Sequence, residues 1–277
     1  MIRIVCDSST LYSSKEGEKK GLLITPLMVS ANGKSYREFD EISSEAFLDI
    51  VRQGAIPSSS QPSIGEKMDL YDHYQEDTIL DITMADGLSG TYQSACMARE
   101  DAVNKNNIYV LNSKTLCGPH RYLVNKALRL STEGKSVEEM IAALNESIDN
   151  SISFLIPMDF SFLKRGGRLT PMAATFGGML KLVPIMTQTK DGTRLEKKAV
   201  KRTFKGAIEE VIKGFKEYGV DENYYISISH AGNEKCAVQA NTMLSNAFSC
   251  EIEMFLLSPA FITQGGPDCV AIQAIKK

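Results

Sequence analysis

Four short segments place side chains that could bind an anion. Leu88-Ser89-Gly90-Thr91 lies at the junction of a strand and a helix. Glycine lets the backbone approach a ligand, the first turn of a helix has N–H groups without intrahelical partners, and Ser89 adds a hydroxyl. The segment is therefore either an anion cradle or an ordinary helix cap. Lys164-Arg165-Gly166-Gly167-Arg168 is expected to be a loop in which two glycines permit a tight bend. It is either a solvated turn or a device that aims the Arg168 guanidinium inward, where its fork geometry suits a carboxylate or phosphate. Ser58-Ser59-Ser60-Gln61-Pro62-Ser63 is a hydroxyl-rich stretch expected as a loop before a helix. Lys197, Lys198, Lys201, Arg202 and Lys205 put five cations within nine residues, which suits a solvated face or a docking patch.

Several other chemistries fail on spacing. Gly87-Leu88-Ser89-Gly90-Thr91 lacks the last glycine of a nucleophile elbow, and Gly134-Lys135-Ser136 lacks the upstream glycine of a phosphate loop. A hydrolase triad would need His73, His120 or His230 beside a nucleophilic serine, and no spacing points to one. The six cysteines form no C-x-x-C pair and are expected as small buried hydrophobes. No catalytic centre, metal cluster or cofactor site is expected. Asp7, at a strand end, is the best support for a competing reading, a small-molecule phosphotransferase or hydrolase using the same cleft.

The elements that must position these residues fall into two halves. Over residues 1–151, apolar runs such as Ile2–Cys6, Thr78–Met84 and Ile108–Leu111 alternate with helical patterns, which predicts a Rossmann-like parallel sheet. Its ligand would sit beyond the carboxyl ends of the strands. Leu22–Val29 and the residues after Asn32-Gly33 are expected as a hairpin, and Ser63-Ile64-Gly65-Glu66 and Ser136-Val137-Glu138-Glu139 as helix starts, the former a capping box. Over residues 152–277 a helix from Pro171 to Leu180 and a hairpin around Asp191-Gly192 precede helices and strands that predict a second α/β domain with a mixed sheet. No Pro-, Gly- or Ser-rich linker divides the halves, so a shared interface with a ligand cleft is expected.

The chain has 277 residues, 43% of them hydrophobic, and a formal charge of −3, which argues against nucleic acid as a partner. Lys164 to Lys205 nevertheless holds eleven basic residues against Asp191 and Glu196, a local basic face on an acidic remainder. No apolar stretch approaches the ~20 residues of a transmembrane helix, and the start is too short in apolar residues for a signal peptide, so a cytoplasmic protein is expected.

Taken in order, Cys6-Asp7-Ser8-Ser9-Thr10, Ser59-Ser60-Gln61-Pro62-Ser63, Leu88-Ser89-Gly90-Thr91-Tyr92-Gln93-Ser94-Ala95, Gly166-Gly167-Arg168, Lys201-Arg202-Thr203 and Gly266-Pro267 run along the whole chain. Their order and separation resemble the DegV family, bacterial fatty-acid-binding proteins that include the FakB-type subunits of fatty acid kinase. The resemblance implies a long-chain fatty acid in a tunnel between or within the two domains. Its carboxylate would meet Ser59, Ser89 with Gly90, and Arg168, while Arg202 would dock the kinase. A fatty acid kinase catalytic subunit would phosphorylate the bound carboxylate, and an acyltransferase would collect the acyl phosphate. Two positions depart from the family pattern. Ser59 replaces the usual threonine and keeps the hydroxyl, whereas Gln264 stands where the family often has histidine and can donate a hydrogen bond without carrying charge.

Overall fold

The computed structural model describes residues 1–175 and 182–277. Leu22–Thr25, Ile2–Asp7, Thr78–Thr83 and Ile108–Asn112 lie side by side in that order, all parallel. Such a sheet needs cover on both faces, which is why its strands are nearly continuous apolar runs. Ile4, Cys6, Leu80 and Ile82 pack on one side against the Cys117–Thr132 and Val137–Asp149 helices. Val5 and Ile79 pack on the other against Tyr71 and Ala98, from the Ile64–His73 and Thr91–Asp101 helices. Alternate side chains of one strand thus serve opposite layers.

The second sheet has the order Leu195–Lys201, Val183–Gln188, Ser151–Ile156, Val270–Lys276, Tyr224–His230, Glu251–Leu256. Only its last pair is parallel, so it is mixed as expected. Its core joins Phe154, Ile226 and Ile272 to the Phe204–Tyr218 and Glu234–Ala247 helices. The halves meet closely. Tyr225 and Ile275 of the mixed sheet belong to the same apolar cluster as Ile4 and Leu80, and a Cβ on Gly118 would lie 2.1 Å from Ser227 Oγ.

Several local expectations are corrected. Leu22–Val29 is not one strand: Leu22–Thr25 joins the parallel sheet, and after Pro26 the chain starts a small antiparallel sheet with Met28–Ala31. That strand does form the expected hairpin with Lys34–Arg37, its turn using positive φ at Asn32 (52°) and Gly33 (76°). Ser58–Ser60 is not a loop but the third strand of this sheet, with Ser59 opposite Val29. Ser63 does cap its helix by accepting from Glu66 N, yet Glu66 does not complete a capping box, because its carboxylate lies 3.3 Å from Arg37. Ser136 and Glu139 form a complete box. Lys164–Gly166 is the end of a helix, Phe160–Gly166, not a loop. Asp159 caps it by accepting from Ser161 N, and burial of Phe162 and Leu163 holds it down. Of the helix expected from Pro171 to Leu180, Pro171–Ala174 is helical, and the part beyond Thr175 lies outside the described residues.

Candidate functional site

Beyond the carboxyl ends of the parallel strands lies an apolar cavity between the two sheets. Its walls include Leu116, Leu155, Leu163, Met186, Leu257 and Phe261. At one end it shares Met84, Leu88, Phe261, Arg168 and Gln264 with a small recess that Ser59 and Ser89 also line. Four side chains singled out in the sequence therefore meet in one place, each delivered by a different element.

Ser59 comes from the edge strand Ser58–Ser60 and Gln264 from the Pro259–Gly265 helix. Gln264 Nε2 donates to Ser59 Oγ at 3.0 Å, which leaves the serine's own O–H available to a ligand. The Gln264 carboxamide oxygen rests over Gly166, where an added Cβ would lie 2.1 Å from it. Gly167 has another task. It ends the Phe160–Gly166 helix with φ +71°, turning the chain so that Arg168 points back to the cavity. The two glycines of the motif thus serve different needs, room for a neighbour and a left-handed turn.

Arg168 is half-buried, and its guanidinium is tethered rather than ion-paired. Nε donates to Leu88 O at 3.0 Å and Nη1 to Gly166 O, so three of its five N–H groups remain for a ligand. Burial, and secondarily the nearby Arg194 charge, lower its pKa, though a guanidinium keeps its charge at any physiological pH. Ser89 Oγ accepts from Thr91 N at 3.3 Å and lies 2.8 Å from Thr91 Oγ1. Gly90, not Ser89, is the N-cap of the Thr91–Asp101 helix, and it brings no side-chain cap. Gly90 does not line the small recess; it lines a more open one just outside it, which also involves Ser89 and Arg168.

Arg202 stands apart. It is exposed after the Leu195–Lys201 strand, whose seven residues at ~3.3 Å each span about 23 Å. Arg194, just before that strand, reaches the open recess outside the site but lines neither the cavity nor the small recess. Nothing in its immediate sequence marks it. Its placement depends on Leu195 N donating to Arg168 O at 2.8 Å, a pairing between distant segments.

Asp7 does not face the cavity. It is fully buried, and its carboxylate accepts from Ser9 N at 2.9 Å and Met84 N at 2.8 Å, fixing two strand-end loops. This removes the main support for the phosphotransferase or hydrolase reading. The fold does bring a serine to a histidine, which spacing did not suggest. Ser9 Oγ lies 2.5 Å from His120 Nδ1, while His120 Nε2 lies 2.9 Å from Ile82 O. A carbonyl only accepts, so Nε2 carries the hydrogen and Nδ1 accepts from Ser9; burial lowers the ring's pKa and keeps it neutral. Both residues are wholly buried, so the pair braces the core beneath the site.

Glu38 was also missed. Its carboxylate takes the Ser8 hydroxyl and, at 2.8 Å, Ala260 N, pinning the start of the helix that carries Gln264. Burial pushes its pKa up to about 7 against the opposing pull of those two bonds. Among the described residues no group of three or more His, Cys, Asp or Glu could hold a metal ion, and no helix is long and apolar enough to cross a membrane.

Comparison with known proteins agrees in sequence and in fold. The family model for DegV matches residues 1–277. A DegV domain-containing protein of Caldanaerobacter subterraneus is 31% identical, with 98% of this chain and 97% of that protein covered. A fatty-acid-binding DegV family protein from Thermus thermophilus has a TM-score of 0.89 at 27% identity, covering 100% of this chain and 99% of its own. DegV from Bacillus subtilis, described as a fatty acid binding protein, has a TM-score of 0.86 at 26% identity, with the same coverage of 100% and 99%. With sequence and fold matched from end to end, the chain belongs to the DegV family.

Proposed function

We propose that this chain binds a long-chain fatty acid, with its tail in the apolar cavity and its carboxylate among Ser59, Ser89, Arg168 and Gln264. The observation that carries the reading is the convergence of those four side chains at one end of an otherwise apolar space. The fatty-acid-binding relatives from Thermus and Bacillus support it. Burying ~14 methylenes at about 0.8 kcal/mol each contributes a gross ~11 kcal/mol, reduced by the cost of ordering and immobilising the chain. A carboxylate left without partners in such a site would cancel much of this gain. The tethered guanidinium and the hydroxyls prevent that and fix which end of the lipid faces outward.

The same reading makes the protein a carrier that presents the carboxylate to a fatty acid kinase catalytic subunit, an acyltransferase then collecting the acyl phosphate. Arg202 and the adjacent cations form the docking face for the kinase. Mass spectrometry of protein purified from cells should find a bound C14–C18 acid. In a competition assay, Arg168→Ala should weaken palmitic acid roughly 10- to 100-fold, the equivalent of one or two charge-assisted hydrogen bonds, and hexadecanol less than about 3-fold. Equal losses for acid and alcohol would show that Arg168 does not read the carboxylate.

A further inference from the structure

We propose that the open recess outside the carboxylate pocket is a phosphoryl subsite, with Arg194 as the residue that distinguishes it. This rests on the fatty-acid reading and extends it to a second anion. The recess is bounded by Asp86, Gly87, Ser89, Gly90, Arg168 and Arg194, and it shares Ser89 and Arg168 with the inner pocket. One guanidinium and one hydroxyl thus serve both spaces, so a group attached to a bound carboxylate would enter the outer one.

Two guanidiniums line this recess, the half-buried Arg168 and the exposed Arg194 at its rim, without a carboxylate ion pair on either one among the described residues. Arg194 Nη1 donates to Gly167 O at 2.7 Å, as Arg168 does to Gly166 O. Their proximity is built into the backbone. Leu195 N donates to Arg168 O at 2.8 Å and Thr170 N to Leu195 O at 2.9 Å, so the two arginines stand on paired segments. Gly87 brings the opposite wall close: with φ +84°, it packs so tightly on the hairpin that a Cβ there would lie 2.7 Å from Thr193 Cα. The Arg194 charge opposes that of Arg168, an opposition that an anion bound between them would relieve. The Thr91–Asp101 helix, eleven residues long with a glycine as its N-cap, begins at the same place and adds the positive end of its dipole. One carboxylate, Asp86, also lines the recess. Its oxygens accept from Gly87 N and from Gln93 Nε2, both at 3.0 Å, so it braces the turn and leaves a net positive space. The donors of the inner pocket suffice for a carboxylate. The outer recess, with its second fork, fits a tetrahedral oxyanion of higher charge, either the phosphoryl group of an acyl phosphate or free phosphate.

Arg194→Gln removes the charge and keeps a donor, and three probes decide the matter. Hexadecanoyl phosphonate, a hydrolysis-resistant acyl phosphate analogue, should bind the variant about 10-fold more weakly than the wild type, while palmitic acid changes less than about 2-fold. Inorganic phosphate titrated into palmitate-loaded protein separates the sources. Arg194-dependent binding there means that the subsite takes free phosphate; binding of the phosphonate alone means that the phosphoryl group must arrive on the lipid. Unchanged affinity for both phosphorus probes, or equal weakening of palmitic acid and phosphonate, would overturn the proposal. If the wild type bound no palmitic acid, the carrier reading would fall, and phosphate titrated into lipid-free wild type and variant would still decide the subsite.

Discussion

Arg168 and Arg202 carry the same group in the same half of the chain and meet opposite surroundings. Arg168 is half-buried and held by the carbonyls of Leu88 and Gly166. Arg202 is exposed between two lysines that pair with acids of the following helix, Lys201 with Glu210 at 2.6 Å and Lys205 with Glu209 at 4.0 Å. A guanidinium fixed by neutral carbonyls keeps its full charge and loses its freedom to turn away. Its field therefore acts on any head group that enters the recess. An exposed charge is screened within about 8–10 Å at physiological salt and serves encounter more than grip. The contrast between inward and outward cations governs how much each should matter when removed.

The extreme inward case is Lys67. Its ammonium lies 2.6 Å from Asp81 in Thr78–Thr83, one of the two inner strands of the parallel sheet, with side-chain exposures of 2% and 0%. Tyr71 donates to the same carboxylate oxygen. Lys67→Met should leave the Asp81 carboxyl buried without its ion-pair partner, costing about 3–5 kcal/mol of stability. The midpoint of urea unfolding should fall accordingly. Lys67→Met combined with Asp81→Asn removes both charges while keeping an acceptor for Tyr71, and it should recover most of the loss. A single variant as stable as the wild type would mean that the interior charge is not held by this pair.

The next effect is smaller and sits at the ligand. A Cβ at Gly166 would strike the Gln264 carboxamide oxygen at 2.1 Å, the far end of a flexible side chain. Gly166→Ala should therefore displace Gln264 from Ser59 and spare the fold, weakening fatty acid binding about 2- to 10-fold for one lost neutral hydrogen bond. Gly167→Ala meets no atom within 4 Å but keeps φ at +71°, so it should lower stability by about 1 kcal/mol and change binding less. Paired melting and binding measurements on the two variants separate room from turn geometry. Binding losses of the same size in both would break that distinction.

These glycines also show where the sequence was informative. Alternating apolar runs and helical patterns disclosed the parallel sheet, because strands covered on both faces have little choice of composition. Asn32-Gly33 disclosed a hairpin through its backbone angles. Ser59, Ser89 and Arg168 were legible as motifs and Gln264 only through the family resemblance; that resemblance implied their meeting, whereas local spacing did not, since it depends on pairings between segments far apart, such as Ser59 with Gln264. Lys164–Gly166 looked like a loop because charge and glycine dominate it, while the cap at Asp159 and the buried Phe162 and Leu163 decided for a helix. Arg194 was hidden for the same reason as the Ser9–His120 pair. Its partner Gly167 lies just past the end of the Phe160–Gly166 helix, and no local spacing encodes that.

The smallest effect on the protein itself belongs to Arg202, and it sharpens the comparison most. Arg202→Ala removes an exposed cation at the far end of the Leu195–Lys201 strand, about 23 Å of strand beyond Arg194. Its removal should change stability by less than about 1 kcal/mol, as exposed charges do, and leave palmitic acid affinity within about 2-fold. If this face docks a kinase, the consequence should appear only with the partner present: less acyl phosphate formed in a reconstituted reaction, recovered by raising the kinase concentration and reproduced in the wild type by adding salt. The Lys197–Lys205 run should then show graded losses as further charges are removed, whereas Arg168→Ala should lose lipid at any kinase concentration. Kinetics unchanged by Arg202→Ala would return that arginine to a solvated face and leave the inward group as the functional one.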